Sequence, residues 1–403
     1  MTRSVRPLLA CLVFAVFAGS MPLAHAQQGV RPEVGKPLQA AQALIKQRKG
    51  REAMAEIAKA EAVSGRTAQE NLLIAQMKGS AALAAGDNDA VIRAYEPLLE
   101  GGARTANSLQ MAQAVAVAYY QKKDYAKAAQ WTQRYFKEGG TDGQMRTVLL
   151  QSYYLGNDCN AVSKMVGSAV ESENGKKPSE EELQILANCY LRQKDTGGYV
   201  AAIEKLVVYY PKKEYWTDLL SRVQKKPGFS DRLGVNVYRL RFATGNAGSA
   251  NDYMEMAQLA VQSGTPSEAK VIIDKGYASG VLGKGDQAER QKRLKDLVEK
   301  AVADSLKTRA QDEKDALEAK DGNDLVKIGL NYVYEGNATK GLSLVEQGIK
   351  KGGLKRPDDA KLRLGEAQLY AGQRQRGLQT LKEVRGTDGT ADIARLWVLY
   401  ARA

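Results

Sequence analysis

Three segments of similar sequence decide the fold of this chain: VAVAYYQKKDYAKA at residues 115–128, LLQSYYLGNDCNAV at 149–162 and LANCYLRQKDTGGY at 186–199. Each segment has a tyrosine followed five positions later by an aspartate, and Tyr119, Tyr153 and Tyr190 recur at spacings of 34 and 37 residues. A period near 34 residues is typical of helical repeats. Apolar residues precede each tyrosine and an amphipathic stretch follows each aspartate. Each unit is therefore predicted to be two helices joined by a tight turn.

Neither helix of such a pair can bury its apolar face alone. Stacking successive pairs creates a continuous core, with the repeated tyrosines packed inside it. The sequence therefore predicts an all-α fold, a superhelical solenoid of stacked antiparallel helix pairs. Such a chain presents a long surface and does not close around one pocket.

A further pattern lies near the C-terminus, where Leu325, Ile328, Gly329 and Tyr332 are followed by Gly341 nine residues after the tyrosine. This pattern resembles that of the tetratricopeptide repeat (TPR) family, which is W/L-x2-L-G-x2-Y followed by a small residue. A second copy lies 36 residues on, and it has glutamine where the family has tyrosine. The matching residues of that copy are Leu364, Gly365, Gln368 and Gly377.

Weaker copies share the phase of these two. We call the residue at the tyrosine position of each copy its frame residue, and the weaker copies have the frame residues Leu44, Ala82, Tyr119, Tyr153, Tyr190 and Ala260. The resemblance thus extends over most of residues 34–403 in about eight units. It implies the TPR-like solenoid fold.

Two stretches depart from the pattern. Residues 212–245 carry aromatic residues without the glycine and alanine frame, and residues 286–320 are highly charged. The second stretch places Leu294, Leu297, Ala301 and Leu306 on one stripe and is predicted to form one long helix or a helical pair. The expected organisation is a signal peptide (1–26), N-terminal TPR-like repeats (27–211), degenerate helical repeats (212–285), and the charged helix with C-terminal repeats (286–403).

The first 26 residues are typical of a cleavable signal peptide. Two arginines precede an apolar run from Pro7 to Gly19, and Ala24-His25-Ala26 matches an A-x-A cleavage site. We therefore expect cleavage after Ala26, a periplasmic protein, and no transmembrane segment in the mature chain. The alternative is a lipoprotein signal, since Leu8-Leu9-Ala10-Cys11 loosely resembles a lipobox.

Composition excludes several kinds of site. The only histidine, His25, leaves with the signal, so catalytic triads and histidine-containing zinc sites are not expected. Cys159 and Cys189 would remain. In the repeat frame Cys159 opens the second helix of one unit and Cys189 lies late in the first helix of the next, so we predict a disulfide between them. Two buried thiols are the alternative.

The formal net charge is +13, and it becomes +11 when the two arginines of the signal are removed. A basic surface favours anionic partners, and an anionic polysaccharide is one alternative. The basic residues are, however, dispersed among acids. No basic run interleaved with aromatic residues is present, so nucleic acid is not an expected partner.

The TPR resemblance implies that the first helix of each pair lines a concave groove. Polar residues occupy the implied positions, and they are Gln113, Tyr120, Gln151, Tyr154, Gln184, Asn188 and Arg192. Amide and tyrosine side chains suit an extended peptide backbone or a sugar. A merely solvated face is the alternative. The lysine and asparagine of the family's carboxylate clamp are missing from these positions.

The predicted function is a non-enzymatic periplasmic scaffold that binds a protein or an extended peptide, without cofactor or metal. No pair of carboxylates in an apolar setting suggests acid-base catalysis. Two alternatives remain. One is a subunit of an envelope machine for polysaccharide export or outer-membrane energy transduction, and the other is a peptidoglycan-active enzyme with a superhelical arm.

Overall fold

The computed structural model describes residues 29–102, 105–171 and 177–403, and these residues form α-helices, one short 3₁₀ turn at Asp231–Leu233, and no strand. The chain divides into two compact units, residues 1–175 (unit 1) and residues 176–403 (unit 2). The signal-peptide prediction concerns residues 1–26, which lie outside the described residues.

The described part of unit 1 contains eight helices: α1 (Pro32–Lys46), α2 (Gly50–Glu61), α3 (Ala68–Ala85), α4 (Asn88–Glu100), α5 (Ser108–Gln121), α6 (Tyr125–Lys137), α7 (Gly143–Leu155) and α8 (Cys159–Glu171). They form four consecutive pairs, each helix packing on the next along the chain. The core of unit 1 lies between these pairs and contains Val115, Tyr119, Trp131 and Tyr135.

The described part of unit 2 contains twelve helices: α9 (Glu180–Arg192), α10 (Thr196–Tyr209), α11 (Lys213–Gln224), α12 (Gly234–Ala243), α13 (Ala250–Gln262), α14 (Pro266–Ala278), α15 (Ala288–Glu318), α16 (Asn323–Tyr334), α17 (Ala338–Lys351), α18 (Pro357–Tyr370), α19 (Arg374–Lys382) and α20 (Thr390–Arg402). Four pairs recur here, namely α9/α10, α13/α14, α16/α17 and α18/α19. Helices α11, α12, α15 and α20 lie between or after them. The predicted all-α stack of antiparallel helix pairs is confirmed within each unit.

In each of the eight pairs, a turn of the same geometry joins the first helix to the second. Between α5 and α6, the backbone N–H of Asp124 donates to the Tyr119 carbonyl at 3.0 Å, and the N–H of Lys123 donates to the Tyr120 carbonyl at 3.0 Å. Lys123 has φ 63°, in the left-handed region. These bonds form a Schellman motif, which satisfies the last carbonyls of the first helix. The five-residue spacing from tyrosine to aspartate is the spacing of this motif.

The other seven turns have the same pair of backbone bonds, and the accepting carbonyl that starts each one belongs to a frame residue: Leu44, Ala82, Tyr153, Tyr190, Ala260, Tyr332 and Gln368. The aspartates then cap the second helices. Asp124 accepts from the backbone N–H of Lys127, and Asp195 accepts from that of Gly198. A side-chain oxygen at this position satisfies a donor that the helix leaves unpaired. The frame residues inferred from the sequence are therefore the residues at which the turns begin.

The glycines of the strongest repeat lie where α16 and α17 cross. A Cβ added to Gly329 would stand 2.6 Å from the Gly341 carbonyl oxygen, and a Cβ on Gly341 would stand 2.5 Å from that of Gly329. Two backbones are in direct contact here. Only glycine at both positions permits this approach.

The frame tyrosines are less uniform than expected. Tyr119 is buried, with 5% of its surface exposed, and its hydroxyl donates to Glu96 at 2.7 Å. Tyr153 and Tyr190 are only half-buried. The prediction that all three rings lie in the core is therefore correct for Tyr119 alone.

The charged stretch forms one long helix, α15, and its predicted apolar stripe is partly wrong. Leu294 is buried, whereas Leu297 and Leu306 are 52% and 53% exposed. The reason is that α15 changes neighbours along its length. It packs on α13 and α14 near its start, where Val298 is buried, and on α16 further along, where Ala316 is buried. A single straight apolar stripe on α15 cannot face both α13 and α14 near its start and α16 further along.

Unit 2 also closes on itself, which the open-stack prediction did not anticipate. Helix α20 packs against α10 and α12, more than 140 residues earlier in the chain. The Ser230 N–H donates to the Asp388 carbonyl at 2.9 Å, and Lys226 pairs with Asp392 at 2.9 Å. Helix α11 packs on α10, while α12 packs on α13 and α20. Residues 212–245 therefore supply two helices that pack on different helix pairs, α11 on α10 of one pair and α12 on α13 of the next.

Within the described ranges, no helix is both long enough and apolar enough to cross a membrane.

Candidate partner-binding surface

In unit 1, four of the predicted groove residues lie on two successive first helices, Gln113 and Tyr120 on α5 and Gln151 and Tyr154 on α7. All four are half-buried. The Tyr120 hydroxyl donates to Gln151 Oε1 at 2.7 Å, which joins the two helices across the repeat boundary. Gln113 Nε2 makes a second link by donating to Asp142 Oδ2, at the start of α7, at 3.0 Å.

Tyr120 belongs partly to the core. Its ring packs against the margin of the unit 1 core and meets the Tyr125 ring edge-on, with centroids 5.8 Å apart. The expectation that Tyr120 is a surface ring is therefore too simple. The ring is anchored on one side, and this anchoring fixes the direction of its hydroxyl.

In unit 2, Gln184, Asn188 and Arg192 all lie on α9. Gln184 Nε2 donates to the Tyr215 hydroxyl of α11 at 2.5 Å. The Asn188 amide donates to the Gln184 carbonyl of its own helix at 3.0 Å. Arg192, at the end of α9, is exposed. The structure thus brings Gln184 and Asn188 together on one face.

Three residues extend this face that the sequence did not single out: Glu180, Lys212 and Tyr215. The Tyr215 hydroxyl donates to the Glu180 carboxylate, and Lys212 Nζ lies 2.5 Å from Glu180 Oε1. Lys212 and Tyr215 hold the pKa of Glu180 below its ordinary value. Burial and the neighbouring Glu180 charge raise the pKa of Tyr215. The face therefore has one carboxylate, one ammonium group and one neutral hydroxyl at neutral pH.

A spacing in the sequence carried the signal for Tyr215. Tyr120 and Gln151 are 31 residues apart, and so are Gln184 and Tyr215. A tyrosine-glutamine bond thus occurs in both units, from α5 to α7 and from α9 to α11, with the tyrosine on the earlier helix in unit 1 and on the later helix in unit 2. Tyr215 lies in the stretch 212–245, which lacks the glycine and alanine frame, so the repeat pattern does not single it out.

Cys159 and Cys189 are both disulfide-bonded in the structure. This agrees with the predicted bridge.

A buried ionic network occupies the interior of unit 2. Arg239 of α12 donates to both oxygens of Glu268 of α14, at 2.6 and 2.7 Å. Arg363 of α18 donates to Glu268 at 3.1 Å and to Glu366 at 2.5 Å. Glu366 also accepts from the Trp397 indole of α20 at 2.8 Å. The network therefore links four helices that are distant in sequence.

These buried acids are poor candidates for catalysis. Burial raises the pKa of Glu268, but Arg239 and Arg363 outweigh that effect and lower it to about 2. A carboxylate held ionised between two guanidinium groups is neither a proton donor nor an exposed base at neutral pH. In the part of the chain that the structure describes, no cluster of three or more potential ligands could hold a metal ion.

Comparison with known proteins gives similarity to solved structures alone. No family model matches the chain, and no curated protein matches it significantly in sequence. A chain in the structure described as "Structure of Naa15/Naa10 bound to HypK-THB" is 17% identical, with a TM-score of 0.42, and the match covers 87% of this chain and 58% of that one.

Two further structures are similar over most of this chain. Yeast Tom70 is 13% identical with a TM-score of 0.26, and 91% of this chain and 95% of that chain are covered. The APC/C hetero-tetramer Cut9-Hcn1 is 11% identical with a TM-score of 0.25, with 81% and 66% covered. This chain spans less than two thirds of the matched Naa15/Naa10 chain. The helix-pair architecture itself rests on the eight turns described above.

Proposed function

We propose that this protein is a non-enzymatic, periplasmic TPR-like scaffold that binds a protein or an extended peptide. Each unit has its own first-helix face as a binding surface, with Gln113, Tyr120, Gln151 and Tyr154 in unit 1 and with Gln184, Asn188 and Arg192 in unit 2. One observation carries this proposal. A tyrosine-glutamine bond links a first helix to a neighbouring helix in each unit, Tyr120–Gln151 between α5 and α7 and Gln184–Tyr215 between α9 and α11.

These links supply what a peptide-binding surface needs. Hydroxyl and amide groups hydrogen-bond a peptide backbone without requiring a particular side chain. Bonds between helices hold Tyr120 and Gln184 in place before a partner arrives, so less side-chain entropy is lost on binding. The groups remain half-buried and not fully enclosed, which leaves part of each accessible to a partner.

Site-specific photo-crosslinking tests this surface. A benzoylphenylalanine at Tyr154 is expected to crosslink a defined partner in cells, and the partner is identified by mass spectrometry. The matched control places the same residue at Gln130, an exposed position on the second helix α6. Equal crosslinking of the same protein from both positions would contradict a first-helix binding surface.

The periplasmic location is tested separately. N-terminal sequencing of the protein from a periplasmic fraction is expected to begin at Gln27. Recovery of a chain that retains residues 1–26 in the cytoplasmic fraction would overturn export and leave the binding surface unaffected.

A further inference from the structure

A pocket of about 590 Å³ lies within unit 2 where the last helix packs back onto earlier ones. It is bordered by α11, by the end of α12, and by α18, α19 and α20. Its lining comprises Pro211, Lys212, Lys213, Trp216, Ala243, Thr244, Leu369, Arg374, Tyr400, Ala401 and Ala403. The closure of unit 2 creates this pocket, which adjoins the first-helix face of unit 2 at Lys212. Its volume lies within the range of sites for small ligands, about 300–1,000 Å³.

One wall of the pocket is aromatic and firmly supported. Trp216 is only 3% exposed, and its ring meets that of Tyr400 edge-on, with centroids 6.4 Å apart. Tyr400 also packs edge-on against Trp397 at 5.6 Å. Tyr400 itself is 37% exposed. It therefore presents ring surface to the pocket while two tryptophans hold its position.

The charged part of the lining has a single sign. Lys212, Lys213 and Arg374 are cationic, and the lining includes no aspartate or glutamate. Lys212 pairs with Glu180. Among the residues that the structure describes, neither Lys213 nor Arg374 has a carboxylate within 4 Å.

The cationic side chains and the aromatic wall together favour one class of ligand. An anionic group gains from Lys213 and Arg374, and a flat ring attached to it gains from contact with Tyr400 and Leu369. We propose that this pocket binds an aromatic carboxylate. Such a group exists as a free small molecule or as an acidic residue next to an aromatic residue in a peptide.

The first experiment uses anilinonaphthalene sulfonate, a fluorescent probe that combines an anion with flat rings. We expect one class of binding site on the whole mature protein, and binding that weakens as salt screens the exposed charges. The double variant Lys213→Gln/Arg374→Gln should weaken this binding by about tenfold, since two exposed ion pairs are lost. Both side chains are exposed, so helicity and melting should stay unchanged.

The matched control is Lys292→Gln/Arg293→Gln, which removes the same charge from exposed positions on α15. It should leave probe binding unchanged. An equal loss in both double variants would mean that the probe senses net charge and not the pocket. No loss in either variant would mean that the probe does not use Lys213 or Arg374. Either result overturns the proposal.

Competition then separates the two sources of ligand. Displacement of the probe by acetyl-Glu-Phe-Glu-amide alone indicates a segment of a partner protein, whereas displacement by 3-phenylpropionate as well indicates a free small molecule. The neutral acetyl-Gln-Phe-Gln-amide and 3-phenylpropanamide should not compete. If neither carboxylate displaces the probe, or if the neutral compounds compete equally, the pocket does not select aromatic carboxylates.

Discussion

Unit 1 and unit 2 are built from the same helix pair and are held together differently. In unit 1 four pairs follow one another, and Arg31 and Glu70, which form an ion pair at its start, are 39 residues apart. In unit 2 the pairs are interrupted, and Lys226 and Asp392 are 166 residues apart. The repeat pattern determines that consecutive helix pairs pack on each other. The closure of unit 2 depends instead on individual charged residues that no period specifies.

The largest expected effect comes from breaking the ionic network of unit 2. Glu268→Leu would leave two buried guanidinium groups, Arg239 and Arg363, to share the carboxylate of Glu366, at a cost of about 3–5 kcal/mol in the free energy of unfolding. Urea-dependent hydrogen exchange, measured peptide by peptide in the full chain, should show this loss in unit 2. The control Glu346→Leu removes an exposed partner of Arg376 and should cost less than about 1 kcal/mol. Equal losses would show that the network does not stabilise the closure.

In unit 1 the core depends on apolar and aromatic packing. Tyr119→Ala removes a buried ring and should destabilise unit 1 by about 3–5 kcal/mol. Tyr153→Ala removes a half-buried ring at the same frame position and should cost about 1–2 kcal/mol, because less area returns to water. Denaturant unfolding of the two variants measures the difference. Equal costs would mean that exposure at the frame position does not govern its contribution.

Reduction of the disulfide should cost about 3 kcal/mol, since a loop of about 30 residues is no longer closed in the unfolded chain. Intact mass after alkylation under denaturing conditions, with and without reductant, establishes the bond. Cys159 and Cys189 should alkylate only after reduction. Alkylation of both cysteines in unreduced periplasmic protein would contradict the bridge.

Acid should affect unit 2 more than unit 1. Its carboxyls with lowered pKa are Glu180, Asp252, Glu268, Glu313, Asp321, Glu335 and Asp388. Unit 1 has Glu70 and Asp89. A lowered pKa means that the unfolded state binds more protons, so the stabilisation is complete above the ordinary carboxyl pKa and is lost as the pH falls toward 2.

Pepsin digestion between pH 5 and pH 2.5, with fragments identified by mass spectrometry, measures this difference. Cleavage sites should open in unit 2 at a higher pH than in unit 1. Glu268 and Asp388, whose pKa values are both lowered to about 2, are the main contributors. Thr390 and Arg232 lower the pKa of Asp388 by hydrogen bonding. Opening of both units at the same pH would contradict the expectation.

The smallest expected effect is the loss of a helix cap, and it should be equal in the two units. Asp124→Ala in unit 1 and Asp195→Ala in unit 2 each remove the cap of a second helix, at a cost of about 1 kcal/mol. Thermal unfolding of the two single variants measures the costs. Because the turn geometry is the same, a difference of more than twofold would show that the turns are not equivalent.

Much of the fold could be predicted from the sequence because the residues that specify each turn and each helix pair are close together in the chain. Tyr119 and Asp124 mark a turn whose bonds all lie within six residues, and Gly329 with Gly341 marks a crossing within one helix pair. The network of Arg239, Glu268 and Arg363 could not be predicted in this way. Charged residues are usually exposed, and no local pattern distinguishes these three from the other charged residues of the chain.

The candidate surface was predictable to a similar degree. Gln151 and Tyr120 were named from their repeat positions, and the structure joins them. Tyr215 was missed because the frame loses its glycines and alanines after residue 212, although the 31-residue spacing from Gln184 continues. The half-burial of Tyr120 depends on Tyr125, which lies on the next helix and points back at it. Such contacts follow from packing and not from position in a repeat.

The shared turn also has a consequence for how such a chain can change over evolutionary time. Its geometry is held by backbone bonds, so the frame residue can be leucine in one repeat, tyrosine in another and glutamine in a third. Four of the left-handed positions even hold non-glycine residues: Arg48, Lys123, Asn157 and Lys194. A duplicated or deleted helix pair brings its own turn with it and leaves the neighbouring turns intact. In unit 1 the number of repeats can therefore grow by duplication of a helix pair or shrink by its deletion. In unit 2 any such change must also preserve the packing of α20 on α10 and α12.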